Sequence, residues 1–285
     1  MSAIFSLFKL RLTLLVLVSA LMGYLMGCNE VDTGKIIGLL FGGLLLTGGS
    51  NGMNQVFERE YDALMNRTKN RPIPSGKMSV MWASIISFFS GLLGIAILWV
   101  FISATCGILG LFAFLSYVFL YTPMKRMSSL AVFVGAFPGA IPPMLGYVAA
   151  TDDFGLAPGL LFATQFMWQF PHFWAIAWVS HEDYVRGGYK LLPFSEGPSK
   201  RNAFQIFLYS LFLIPVSLLP WALPLHAPMT GTAAAITTTA AGLVMAYYAQ
   251  RLYAKGEMKF ARAVMFTSFF YLPIVQLAYV LDRMS

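Results

Sequence analysis

Asn54, Glu58 and Asp62 stand at intervals of four in the stretch "NGMNQVFEREYDALMNRTKNRPIPSG", residues 51–76. On a helix that spacing stacks three oxygen-bearing side chains along one face over roughly 12 Å, and Met65 continues the line. Hard oxygen ligands with no Cys or His beside them suit Mg²⁺, which takes one or two carboxylates and completes its octahedron with water and substrate phosphate. A second acidic point, Asp183 with Glu182 beside it, lies 121 residues beyond Asp62. Cations accompany both. Arg67, Lys69 and Arg71 follow the first run, Lys125 and Arg126 follow "YTPM", and Arg186 and Lys190 follow Asp183. Guanidinium forks and ammonium points are what a polyphosphate needs around its metal. Acids alone would suggest a cation path; acids with this many bases suggest metal-diphosphate chemistry.

The elements that must position these residues are membrane helices. The 285 residues are 58% hydrophobic and 11% charged, with a mean hydropathy of +0.70, beyond the range of ordinary soluble domains. Apolar stretches long enough to cross ~30 Å of hydrocarbon as helix lie at 9–26, 36–57, 79–101, 104–122, 129–150, 157–180, 204–222, 231–251 and 262–281. Barrel strands would be half as long and would alternate in polarity. We therefore expect an all-α polytopic membrane protein, one domain over 1–285 with nine transmembrane helices. If the N-terminus is cytoplasmic, 17 of the 19 Lys and Arg fall on inside segments and only Lys35 and Arg283 lie outside. That is the positive-inside pattern, and it puts the C-terminus outside.

The outer loops "CNEVDTGK", "ISAT", "ATDDFG" and "LPLHAP" are short and plain, whereas the inside loops at about 58–78 and 181–202 mix carboxylates, cations, Gly and Pro. Function is expected on the cytoplasmic face. The opening "MSAIFSLFKLRLTLL" has the features of neither a transit peptide nor a cleaved signal, so a bacterial inner membrane is the expected address. Cys28 and Cys106 read as small apolar packing residues.

The sixth apolar stretch carries its own polar face. In "QFMWQFPHFWAIAWVSHEDYVRGGYKLLP", Gln165, Gln169, His172, Ile176, Val179 and Asp183 recur every three or four residues, with Pro171 expected to kink the helix. Two acidic helix ends facing each other, Glu58/Asp62 and Asp183, could grip one or two metal ions. Tyr117, Tyr121 and Lys125 likewise fall at i, i+4, i+8, with Pro123 in the last turn. Plainer roles compete. Basic residues at inner helix ends report topology, Glu60 suits a solvated partnership with Arg59 or Lys69, and His181 and His226 read as loop residues. His172 suits polar packing as well as ligation, and Phe166, Trp168, Phe170, Phe173 and Trp174 suit packing or lipid contact. Asn54, Glu58, Asp62 and Asp183 fit a bland reading least, because charges at that depth are usually functional.

These residues resemble the UbiA-type intramembrane prenyltransferases, whose first signature is Asn-x3-Asp-x3-Asp and whose second is an Asp-rich run after the sixth helix. "NQVFEREYDALMNRTKNRP", "YTPMKR", "GAFPGAIPPMLGY", "QFPHFWAIAW" and "EDYVRGGYKLLP" carry a closer similarity to the heme-farnesylating branch of that family. The resemblance implies that Asn54, Glu58 and Asp62 form the first metal-diphosphate motif, with Glu58 where the general pattern has Asp. It implies that Asp183, helped by Glu182, holds a second metal, and that Arg67, Arg71, Lys125, Arg186, Lys190 and Tyr121 cradle the diphosphate. His172, Trp168, Trp174 and Gln169 would border the acceptor. Mg²⁺ is the implied cofactor, farnesyl diphosphate and heme B the implied substrates, and the lipid bilayer the setting. A downstream membrane enzyme of the heme pathway is an implied partner, and no nucleic acid is. Spacing leaves open prenyl transfer to an aromatic or quinone precursor. A cation or phosphate transporter is the reading from another class, although carriers keep their ionisable groups near the midplane. A non-catalytic assembly factor would leave the facing acids unexplained.

Overall fold

The computed structural model describes residues 3–223 and 229–284; His226 lies outside the described residues. Among these the regular secondary structure is helical apart from one isolated bridge between Thr230 and Arg283. In order the helices are α1 (Ala3–Leu7), α2 (Leu10–Gly27), α3 (Thr33–Leu64), α4 (Val80–Phe101) and α5 (Ala104–Leu115). A π-turn (Ser116–Tyr121) leads into α6 (Thr122–Met127), followed by α7 (Ala131–Thr151), α8 (Leu156–Val179), α9 (His181–Arg186), α10 (Lys200–Ala222), α11 (Thr232–Lys255) and α12 (Met258–Leu281).

Among the described residues, seven segments are long and apolar enough to cross a membrane: α2, α3, α4, the composite Ala104–Met127, α7, α10 and α12. The other two expected spans fall on α8 and α11, each 24 residues long but interrupted by Gln, His, Thr and Arg. Short polar residues start several of these helices. Asp32 accepts from the Lys35 N–H at the start of α3, and Ser79, Ser103 and Ser199 cap α4, α5 and α10 in the same way.

Two expectations shift. The inside loop expected from about residue 58 begins only at Met65, because α3 runs 32 residues, or about 48 Å. That exceeds the hydrocarbon thickness, so Glu58 and Asp62 ride on the last helical turns rather than on a loop. The loop expected at 181–202 contains α9 and the first turn of α10. The π-turn also has a local cause. Pro123 has no N–H, and its ring would collide with the carbonyl four residues back. The preceding turn widens, and both the N–H and the hydroxyl of Thr122 reach the Tyr117 carbonyl, five residues back. Pro171, in contrast, sits within α8, which continues through it to Val179.

Packing falls into two large apolar clusters, one from α2, α3, α4, α5 and α7 and the other mainly from α8, α10, α11 and α12, with a small third of Leu7, Val56, Ile73 and Ala83. α7 against α8 and α2 against α12 join the two large ones. Lipid offers no hydrophobic drive between helices, so small residues that let backbones approach closely hold such contacts. At the crossing of α2 and α7, a Cβ on Gly23 would lie 1.9 Å from the Pro143 carbonyl oxygen, and one on Gly146 1.8 Å from that of Ala20. Cys28 and Cys106 are buried and unbridged, as packing residues should be. Arg283 donates from its guanidinium to the carbonyls of Leu25 and Cys28, closing the end of α2.

Candidate active site

The final turns of α3 present Asn54, Glu58 and Asp62 on one buried face, and all three line a cavity of about 650 Å³. Each meets a cation or its neighbour. Glu58 Oε1 accepts from Lys125 Nζ at 2.6 Å. Asp62 Oδ2 accepts from Arg71 Nη1 at 2.5 Å. Asn54 Oδ1 accepts from Lys9 Nζ at 3.0 Å, while its Nδ2 donates to Thr122 Oγ1 at 3.2 Å.

Local folding explains how these partners arrive. After Met65 the chain turns back on itself: the Thr68 hydroxyl donates to the Asp62 carbonyl at 2.8 Å, and the Arg71 N–H donates to the Thr68 carbonyl at 2.9 Å. That reversal carries the Arg71 side chain to a carboxylate nine residues earlier. Lys9 sits at the break between α1 and α2 in a left-handed conformation, φ 47° and ψ 53°, uncommon for a residue with a Cβ.

The arrangement leaves one sealed carboxylate oxygen without a protein partner. Asp62 is fully buried, and its Oδ1 has no hydrogen bond, a costly state for a carboxylate oxygen. Among the described residues no three His, Cys, Asp or Glu side chains converge on a metal position. A pair of carboxylates with one oxygen free nonetheless fits Mg²⁺, which asks for one or two protein carboxylates and draws the rest of its shell from phosphate and water.

Asp183 behaves differently from the expectation. Its two oxygens accept from the backbone N–H groups of Asn66 and Arg67, at 3.1 and 3.2 Å, and Arg186 lies 3.1 Å away. The carboxylate thus ties α9 to the reversal after α3 and stands outside the cavity lining. Glu182 is 93% exposed at its side chain, with only a 4.0 Å approach to Arg186. The facing of acidic ends is real, but it joins backbone to carboxylate rather than carboxylate to carboxylate.

The remaining expected residues divide. Arg67, Arg71, Lys125 and Tyr121 line the cavity, as do Trp168, Gln169 and His172. Arg67 also donates to the Tyr184 hydroxyl at 3.0 Å. Arg186 and Lys190 are exposed and off the lining, the latter meeting Lys125 only through its backbone, at 2.8 Å. Trp174 is also off it: its ring packs in the core against Phe170 and Tyr209, with centroids 5.5 and 4.8 Å away. Glu60 pairs with Arg59 at 2.8 Å on the exposed side, as its off-face position suggests.

Two features escaped sequence reasoning. Lys9 reads as one more inside charge, since nothing in "FKLRL" announces a left-handed break. A buried polar knot also crosses three helices. Ser19 donates to Gln165 Oε1 at 2.6 Å, and Gln276 donates to both Ser19 and Gln165, at 2.6 and 2.9 Å. The partners are 146 and 111 residues from Gln165, beyond any local pattern.

Below the charged mouth the cavity is walled by Leu39, Leu46, Leu98, Ile141 and Leu145. Its flank carries exposed apolar side chains: Leu12, Leu15 and Val18 of α2 and Phe269 of α12 line the cavity and are exposed.

Known proteins resemble this chain in sequence and in frame. Over 282 residues the chain is 45% identical to the protoheme IX farnesyltransferase of Cytophaga hutchinsonii, covering 99% of this chain and 97% of that one. A solved structure described as digeranylgeranylglyceryl phosphate synthase in membranes superposes with a TM-score of 0.80 at 20% identity, covering 98% and 97% of the two chains. A UbiA homolog from Archaeoglobus fulgidus, solved with GPP and Mg²⁺, gives a TM-score of 0.71 at 15% identity, covering 98% of this chain and all of that one. The profile of the UbiA prenyltransferase family matches residues 16–272. With that match spanning most of its length, the chain belongs to the UbiA prenyltransferase family.

Proposed function

We propose that this enzyme transfers the farnesyl group of farnesyl diphosphate to a vinyl group of heme B, giving heme O. The observation that carries the reading is the cavity itself: it starts at a buried carboxylate with an unpaired oxygen, is ringed by cations, and continues into an apolar lobe. Similarity to a protoheme IX farnesyltransferase over nearly the full length, at 45% identity, supports heme as the acceptor. The wider reading is a nine-span bundle in a bacterial inner membrane, with the charged mouth on the cytoplasmic side.

Asp62 and Glu58, with Asn54 beside them, would hold Mg²⁺ against the diphosphate, where it supplies charge neutralisation to the leaving group. Arg71, Lys125, Arg67 and Lys9 take up further negative charge as the C–O bond breaks. Tyr121 stacks under the Lys125 ammonium, 4.6 Å from it, and steadies its position. The leucine-lined lobe sheathes the prenyl chain and withholds water from the developing allylic cation. The vinyl π electrons form the new C–C bond to C1, and the cation this leaves beside the porphyrin ring takes up water and releases a proton. No strong base is required. Asp183 acts at one remove by pinning the Asn66–Arg67 backbone; service as a second metal ligand would require that loop to let go of it.

The test uses purified protein in lipid with Mg²⁺, farnesyl diphosphate and heme B, with products followed by mass. The expected product is heme B plus one farnesyl unit plus water, lost with EDTA and with Asp62→Ala. Unchanged heme under conditions that prenylate a hydroxybenzoate would refute the choice of acceptor.

A further inference from the structure

His172 lies inside the hydrophobic bundle on α8, on the cavity wall, and its hydrogen bonding fixes more than its position. Its Nδ1 lies 2.8 Å from Ser268 Oγ. The Ser268 hydroxyl proton is already committed, donated to the Met265 carbonyl one turn back at 2.6 Å. Ser268 Oγ must therefore accept, so Nδ1 carries a proton, and in the neutral imidazole Nε2 then carries the lone pair. That nitrogen has no hydrogen-bond partner and is not among the sealed, unsatisfied buried atoms, so it is open to the cavity the ring lines. Ser268 also fixes the neighbouring ring, because its carbonyl accepts from Trp168 Nε1 at 2.9 Å. Trp168 stacks on the imidazole with centroids 4.3 Å apart and planes 21° off parallel. Phe173 and Phe269 press its edges at 5.1 and 5.2 Å.

A neutral imidazole, locked in one tautomer, wedged among aromatic rings and aiming a bare nitrogen into an apolar cavity, has the form of a metal ligand with its supporting shell already in place. Among the described residues no three His, Cys, Asp or Glu side chains cluster here or elsewhere, so a closed site built from three or more of them is ruled out for that set. What fits is a metal that arrives with its own equatorial ligands and needs one axial donor. Iron in a porphyrin is that case.

Resting on the proposed acceptor, we infer that His172 Nε2 is an axial ligand to the iron of the substrate heme, and that Ser268 is the positioning residue holding the ring in the ligating tautomer. Ligation docks the macrocycle by its centre. His172 stands seven residues, about 10 Å along the axis, from the end of α8 at the charged mouth. The porphyrin rim, which carries the vinyl groups, is then free to turn toward the carboxylates.

The experiment is a titration of the purified protein in lipid with ferric heme B and, separately, with metal-free protoporphyrin IX, read by the Soret band and by EPR, with turnover measured in parallel. Wild type should shift the heme Soret band and show nitrogen ligation. His172→Ala should lose that signature and bind heme about tenfold or more weakly, with free imidazole restoring the spectrum. His172→Met, which fills similar space, should give a distinct thioether-ligated spectrum, and Ser268→Ala should weaken heme binding by about tenfold. Metal-free protoporphyrin should bind wild type and both His172 variants alike. Identical heme spectra and affinities for wild type and His172→Ala, in protein that still farnesylates heme, would overturn the axial role and leave the proposed reaction standing. No heme binding and no turnover by wild type would overturn the acceptor and this inference together.

Discussion

Replacing Asp62 with Asn tests the centre of the site with almost no change of volume. The carboxylate has two separable oxygens: Oδ2 holds Arg71 at 2.5 Å, and Oδ1 is buried without a partner. In Asp62→Asn the amide must give either its NH2 to the Arg71 guanidinium or its NH2 to the metal position, and both choices are repulsive. A charge at about 4 Å, with an effective dielectric of about 20, is worth about 4 kcal/mol. That matches the 10²- to 10³-fold loss, about 2.7–4 kcal/mol, seen when one transition-state stabilising group is removed. We expect kcat to fall by about 10²- to 10³-fold and the Mg²⁺ requirement to rise, measured as farnesylated heme by mass spectrometry across a Mg²⁺ series. Folding should suffer less than the about 3–5 kcal/mol typical of a broken buried pair, since the Arg71 side chain is 23% exposed and can hydrate. A variant that turns over within about threefold of wild type at saturating Mg²⁺, far short of the expected loss, would refute the assignment of Oδ1 to the metal.

Three further outcomes follow from neighbouring contacts. Glu58→Gln should destabilise the protein by about 3–5 kcal/mol by leaving Lys125 buried and unpaired; Glu58→Gln combined with Lys125→Met should regain most of that in chemical denaturation while activity stays lost. Lys9→Met should raise KM for farnesyl diphosphate by about 10- to 100-fold, the worth of one charge-assisted hydrogen bond of about 1.5–3 kcal/mol, and unchanged steady-state kinetics would remove Lys9 from the cradle. Gly146→Ala should push α2 off α7 and cost about 1–3 kcal/mol, read as a lower melting temperature. Gly159→Ala, where an added Cβ meets nothing within 4 Å, should melt no lower than wild type.

The sequence exposed the parts of the site that obey a local period. Asn54, Glu58 and Asp62 share a face because a helix repeats every 3.6 residues, and the spans are visible because hydrocarbon demands length. Tyr117, Tyr121 and Lys125 also reach one cavity, although a π-turn rather than a straight helix delivers them. What stayed hidden depends on which hydrogen bond each group finally makes. Asp183 looked like a ligand because it is acidic and near the mouth, yet two backbone N–H groups 116 and 117 residues away occupy it. Trp174 shares the aromatic run of α8 with Trp168, but a step of six residues turns it into the core against Tyr209. Lys9 needed a left-handed residue between two helices, and composition carries no mark of that.

The exposed apolar side chains that line the cavity on α2 and α12, Leu12, Leu15 and Phe269 among them, bear on how turnover finishes. A fifteen-carbon tail carried out through water would expose hydrocarbon at about 0.8 kcal/mol per methylene, on the order of 12 kcal/mol in all. Leaving sideways past these side chains would keep the tail among acyl chains throughout. Discharge should then quicken with membrane fluidity, and a stiff, ordered bilayer should slow the cycle even when every polar group at the mouth is intact.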